Sequence, residues 1–348
     1  MSERNKKFIL VLGFAFISII LSGCLNQKAK SPRLLETTTA RITDLEKQVQ
    51  DIASVNSIRS KMYLKFEDNS AAEKGIAEKY ATADSTIVVQ RPGNILLKVE
   101  APIIGTDIAE MSSNGIKFRI AILKDNAGGA LLSFLKGTNR RDYSRLRESA
   151  NKIAAERSDK AQDDVNAFSK LRPQHITDAL LMSPINKDKY SYVMSAITQE
   201  EFDVNAKKQS PSQWVFRGYY LMDELQKDES GQLKLIRRFW FDRVGGIHLS
   251  REQIFDDNGE IVSDIYFGKF GRLANANSKE LPLEITLSRP QEKYKIRLIH
   301  KDPNNVIIDK TYPEQAFLLE NTKNLREIDL DGELDRSLGA VKSASDEQ

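Results

Sequence analysis

Cysteine is all but missing from this 348-residue chain: Cys24 is its only one. The chain can therefore form no disulfide within itself and no cysteine metal site, and its stability must come from a packed core. Histidine is nearly as scarce, and His175, His248 and His300 stand apart in no zinc-type spacing. There is no G-x-S-x-G elbow, no phosphate-binding loop and no dinucleotide fingerprint. Gly128-Gly129 has no lysine-serine pair after it and reads as a flexible connection. An excess of charge of one sign is absent too. The 52 basic and 49 acidic residues leave a formal net charge of +3. With no clustered basic face, nucleic acid is not an expected partner. Beyond the first 21 residues no long apolar run occurs. These absences predict a binding protein rather than an enzyme, with neither cofactor nor metal.

What is present begins at the N-terminus. Arg4, Lys6 and Lys7 precede the uncharged run Phe8–Leu21. That run is short of the roughly 20 apolar residues that span a bilayer and has the length of a signal-peptide core. Leu21-Ser22-Gly23-Cys24 closes it and resembles the lipobox of bacterial lipoproteins. The resemblance implies that residues 1–23 are removed and that Cys24 becomes an acylated N-terminus, the membrane anchor. Residues 1–23 carry a net +2, so the mature chain is left near +1. Residues 24–33 then read as a polar tether.

From Leu34 to Ile58, Leu45, Val49, Ile52 and Val55 recur at helical spacing and predict one amphipathic helix. The period then becomes two. Met62, Leu64 and Phe66, then Ile95, Leu97 and Val99, then Ile116, Phe118, Ile120 and Ile122 alternate with polar or small residues. Half-buried antiparallel strands follow from that pattern. Residues 139–171 are highly charged and Ala-rich, without glycine or proline, and predict an exposed helical insert. Pro173–Met182 is a short apolar helix stopped by Pro184, with Ile176, Leu180 and Leu181 facing the sheet. Strands resume near Tyr190 and run to His300, with a hairpin turn at Asp257-Asn258-Gly259. Residues 321–348 read as a polar, fraying tail. The expectation is a mainly β fold: an unclosed antiparallel half-barrel of about ten strands, with short helices on its concave side. It forms a single domain over residues 34–320.

The order of elements is similar to the lipoprotein-handling family of the Lol pathway, the periplasmic lipoprotein carrier and the outer-membrane receptor. The likeness is carried by Arg91-Pro92-Gly93, by Leu97-Lys98-Val99-Glu100-Ala101 running into Pro102-Ile103-Ile104-Gly105, by Asn114–Phe118, and by the helix at 173–182. It implies a cavity for acyl chains such as palmitate, lined here by Leu97, Val99, Phe118, Ile176, Leu180 and Leu181, with the 173–182 helix as its lid. It also implies that Ile103 and Ile104 form a membrane-contact loop, since polar residues are usual at a strand-to-strand turn. Leu25 stands where an aspartate would mark inner-membrane retention, so the implied place is the periplasmic leaflet of the outer membrane. The partners implied are the acyl chains of lipoproteins or lipids and a periplasmic carrier protein. Two further readings stay open: a scaffold lipoprotein that binds a protein partner, and, more remotely, an envelope hydrolase.

Overall fold

The computed structural model describes residues 31–68, 79–101, 106–123, 132–143, 146, 172–203, 206, 213–273 and 280–345. They divide into a small unit, the described residues up to Leu35 with Thr198–Arg217, and a main unit, Glu36–Ile197 with Gly218 onward.

The main unit is built from two meanders. The first comprises β2 (Ser57–Asp68), β3 (Lys79–Gln90), β4 (Asn94–Glu100), β5 (Asp107–Asn114), β6 (Lys117–Ile122) and β7 (Ser133–Thr138). The second comprises β9 (Trp214–Lys227, in this unit from Gly218 onward), β10 (Leu233–Asp242), β11 (His248–Phe255), β12 (Ile261–Arg272), β13 (Glu280–Arg289) and β14 (Tyr294–His300). Each strand pairs with the next, and β14 pairs antiparallel with β2, from Tyr294 beside Asp68 to His300 beside Met62. That one pairing joins the meanders into a continuous sheet. β8 (Ser191–Phe202) pairs with β9, and β15 (Ile307–Ile308) with β2. β1 (Arg33–Leu34) and β16 (Arg326–Asp329) add parallel pairs, to β9 and β7. Among the described residues the result is one open, mixed sheet of sixteen strands, in place of the ten antiparallel strands expected. The short strands β1, β15 and β16 carry too little alternation to be seen in sequence.

Alternation places the core. In β4, Ile95, Leu97 and Val99 are fully buried while Leu96, Lys98 and Glu100 are half-buried; Met62, Leu64 and Phe66 do the same on β2. Ile116 departs from the expected pattern. It lies in the turn opened by Gly115 (φ 85°) and is 66% exposed, whereas Phe118, Ile120 and Ile122 are buried. Ala121, on the opposite face of β6, is covered by Phe134 and Leu319 in a small second core.

α1 spans Ile42–Ala53, shorter than the Leu34–Ile58 helix expected. Thr37-Thr38-Thr39 ahead of it is β-branched and disfavours helix. Asp44 accepts from the Arg41 N–H at 2.9 Å and opens the first turn. Leu45, Val49 and Ile52 face the core. α2 spans Pro173–Leu180, begins with a proline as helices often do, and buries Ile176, Ala179 and Leu180. At about 1.5 Å per residue, α2 is roughly 12 Å long. It nevertheless touches β3, β4 and β5 on one side and β13 on the other. Those outer strands lie five spacings apart, about 24 Å along a flat sheet. The sheet of the main unit therefore bends around α2.

The segment read as a fraying tail forms β16 and α3 (Leu330–Ser345). Asp331 on α3 accepts from Thr138 Oγ1 at 2.7 Å and from the hydroxyl of buried Tyr143, which ties this end to β7. Of the charged insert only 139–143 and 146 are described; the rest, like residues 1–30 with Cys24 and the Pro102–Gly105 loop, lies outside the described residues.

Candidate functional site

α1 and α2 lie over an aliphatic interior. Leu97, Val99, Phe118, Ile176, Leu180 and Leu181 come from three separate stretches of sequence, and the fold brings all six into one apolar cluster, each at most 6% exposed. Between the helices and β12–β14 a cavity of about 20 Å³ remains, bordered by Ile52, Val55, Ala179, Leu180, Phe267 and Ile285. It has room for about one water and none for an alkyl chain. Among the described residues, this gap between helices and sheet is lined by apolar side chains apart from His300.

Two arginines hold the closure. Arg91, in the turn between β3 and β4, donates through Nε to Val55 O (3.0 Å) and through Nη2 to Ala53 O (2.8 Å) and Met182 O (2.6 Å). The last carbonyls of a helix lack intrahelical partners and attract a cation. One guanidinium thus caps α1 and pins it to the residues just after α2. Burial pulls the pKa of Arg91 down from the usual arginine range.

Arg237 on β10 grips the next two residues, donating to Ser183 O (2.9 Å) and Pro184 O (3.3 Å). Its remaining donors meet Glu224 Oε1 (2.8 Å), Glu224 Oε2 (2.5 Å) and Glu252 Oε1 (3.2 Å). Tyr192 donates to Glu224 Oε2 at 2.6 Å. Glu224 and Glu252 are 1% and 2% exposed, and Arg237 is 6% exposed. Burial pushes Glu252 up to about 7, against the pull of Arg237, and Glu224 and Asp178 push the same way. Burial opposes the charge on Arg237, but the two carboxylates outweigh it and its pKa is raised. Burial, then Glu224, pushes Tyr192 up to about 12.

The histidines do structural work. His300 borders the cavity with Nδ1 2.7 Å from Ser60 Oγ, and burial pushes it down to about 4, so it is neutral there. His175 on α2 lies with Nδ1 2.5 Å from the Tyr294 hydroxyl. No group of metal-ligating side chains occurs among the described residues. A separate cleft of about 680 Å³ is lined by Arg59, Lys61, Thr86, Lys301, Asp302 and Ile307.

No family model and no curated protein matches the chain. Solved structures do. A LolA superfamily protein from Nitrosomonas europaea is 8% identical with a TM-score of 0.40, covering 81% of this chain and 99% of that one. A domain from Vibrio parahaemolyticus assigned to outer-membrane lipoprotein sorting is 11% identical with a TM-score of 0.40, over 81% and 95%. A DUF1329 family protein from Desulfovibrio piger is 11% identical with a TM-score of 0.41, over 80% and 96%.

Sequence reasoning named the apolar members of the site and missed the charged ones. Arg91 reads as a turn residue beside Pro92-Gly93. Arg237, Glu224 and Glu252 carried a usable signal. Arg237 shares its strand face with Phe239 and Phe241, and Glu224 shares its own with Met222 and Tyr220. A charge at an inward position of an alternating strand calls for a buried partner.

Proposed function

We propose that this protein is a lipid-anchored outer-membrane lipoprotein that takes acyl chains between its sheet and its two covering helices, and that it takes part in lipoprotein or lipid transfer. The observation that carries the reading is the closure of an aliphatic interior by helix ends that arginines pin through hydrogen bonds. Magnitudes support a reversible lid. Ten buried methylenes contribute about 8 kcal/mol at about 0.8 kcal/mol each. Hydrogen bonds from a charged donor contribute about 1.5–3 kcal/mol each, so the three made by Arg91 are of the same order. An entering chain can therefore displace the clasp, and the clasp can expel a chain that has somewhere else to go. Such binding selects for alkyl length rather than headgroup.

The test is mass spectrometry of lipids extracted from the purified protein, with titration of a fluorescent fatty acid. Co-purified acyl lipid and saturable uptake are expected, and slower or faster exchange of α2 amides should accompany uptake. A chain that carries no lipid, takes none up and keeps α2 exchange unchanged would falsify the reading. It would leave the packed scaffold, which the small size of the cavity favours.

Two further expectations belong to this reading. Cys24→Ser should give an unprocessed or soluble product; recovery in the membrane pellet after signal cleavage would remove the anchor. Ile103→Glu combined with Ile104→Glu should leave the melting temperature nearly unchanged and abolish transfer to acceptor membranes. A loss of several kcal/mol in stability would instead place both side chains in the core.

A further inference from the structure

The small unit carries a feature that the lid has no use for. β1 lies parallel to the start of β9, with Arg33 beside Val215 and Leu34 beside Phe216. Side chains alternate along a strand, so Leu34, Trp214 and Phe216 share one face while Arg33 and Arg217 take the other. Phe202 at the end of β8 joins the first face, its ring edge-on to Trp214 with centroids 6.1 Å apart. Glu201 and Asp203 flank it on the opposite side, where they pair with Arg217 (2.5 Å) and Arg33 (3.5 Å). One face of this small sheet thus carries two ion pairs beside the buried Val215, and the other is apolar. The apolar face is open: Leu34 is 70% exposed, Trp214 50% and Phe202 49%. A contiguous group of large apolar side chains held in water marks a contact surface.

We propose that this face lies against a lipid bilayer, at the boundary between headgroups and acyl chains, as a second attachment beside the acylated N-terminus. The inference rests on the reading that Cys24 carries acyl chains. Residue types favour lipid, since tryptophan with phenylalanine and leucine is the composition that settles at that boundary. Size disfavours a protein partner, because four side chains fall far short of the roughly 20–30 residues a side of a stable protein interface. Reach favours the membrane again. Leu34 is ten residues beyond Cys24, and ten residues span at most about 35 Å. An acylated Cys24 therefore keeps β1 close to the surface that holds it. Among the described residues of this unit, Arg33 and Arg217 meet Asp203 and Glu201 on the far face, so the face turned to lipid is apolar.

The chain has two tryptophans, and the other, Trp240, donates to Gln253 in the main unit at 2.8 Å. This allows a direct test on the full-length, cell-processed protein, reconstituted into phosphatidylethanolamine–phosphatidylglycerol vesicles with brominated acyl chains. Bromine should quench part of the tryptophan emission, and Trp214→Phe should remove that part. Leu34→Glu with Phe202→Glu should weaken the quenching without altering the acylated mass. Equal quenching in wild type and Trp214→Phe overturns the inference. So does a concentration-dependent dimer that Trp214→Phe abolishes, since the face then meets a second copy. Intact mass separates this result from the anchor reading. An unacylated chain whose Trp214 is still quenched keeps the face and loses the anchor. An acylated chain without Trp214-dependent quenching keeps the anchor and loses the face.

Discussion

Replacing Arg91 with leucine is expected to tighten acyl-chain binding while it weakens the empty protein. The guanidinium satisfies Ala53 O, Val55 O and Met182 O, and nothing in leucine can replace those donors. Leaving half-buried carbonyls unpaired costs about 1–3 kcal/mol each, less where water reaches them. The empty protein should therefore melt several degrees lower, and the amides of α2 should exchange faster. The chain-bound form has already given up these bonds in the proposed opening, so it loses nothing. A ligand shifts an equilibrium only by its preference between two states, and the variant lowers the unliganded one. A net loss of about 2 kcal/mol in the closed state makes binding roughly thirtyfold tighter. Fatty-acid titration and thermal melting together decide the matter. A lower melting temperature with unchanged or weaker binding would mean that Arg91 is a structural cap and that the helices do not open. Arg91→Lys should fall between the two, since one ammonium cannot reach three carbonyls in the planar arrangement a guanidinium provides.

Most of the sheet and half of the site can be read from the chain. Long strands with clean alternation, such as β4 and β14, declare which residues point inward, and the apolar helix between Pro173 and Pro184 declares itself by its stops. Leu97, Phe118 and Ile176 were legible as inward positions of their elements, and the fold places them in one apolar cluster. The joining of the meanders through β14 and β2 was not legible, because antiparallel pairing across more than 200 residues leaves no local mark. β16 was hidden for a different reason. Its four residues, Arg326-Glu327-Ile328-Asp329, are nearly all charged, and they pair at the sheet edge, where Lys136 of β7 meets Glu327. The arginine clasp is a property of carbonyls at helix ends, and sequence shows side chains rather than carbonyls. Only the inward parity of Arg237, Glu224 and Glu252 pointed to it.

Those three residues support the second large prediction. Arg237→Met should cost about 3–5 kcal/mol, because it strands two buried carboxylates and frees the carbonyls of Ser183 and Pro184. Arg237→Met with Glu224→Gln and Glu252→Gln should recover much of that loss, since neutral amides no longer need the guanidinium. Additive losses in the triple variant would show that the cluster is not one unit. The same cluster sets a pH dependence of definite sign. Glu252 titrates near 7 in the folded protein and near 4.5 in an unfolded chain. The folded state therefore binds its proton more strongly. Its stabilising contribution is fully present below about pH 4.5 and is lost as pH rises to about 7, by on the order of 3 kcal/mol. Other carboxylates act in the opposite direction: a backbone hydrogen bond to Arg41 lowers Asp44, one to Glu260 lowers Asp256, and both favour the folded state only once ionised. The Glu252 contribution is thus read as a difference. Wild-type stability minus that of Glu252→Gln should fall between pH 4.5 and 7 and level off above it. A difference that is flat across that window would place the Glu252 proton outside the clasp. If the difference falls as expected, α2 exchange should quicken over the same pH range, because the residues that Arg237 holds by Ser183 O and Pro184 O directly follow the end of α2.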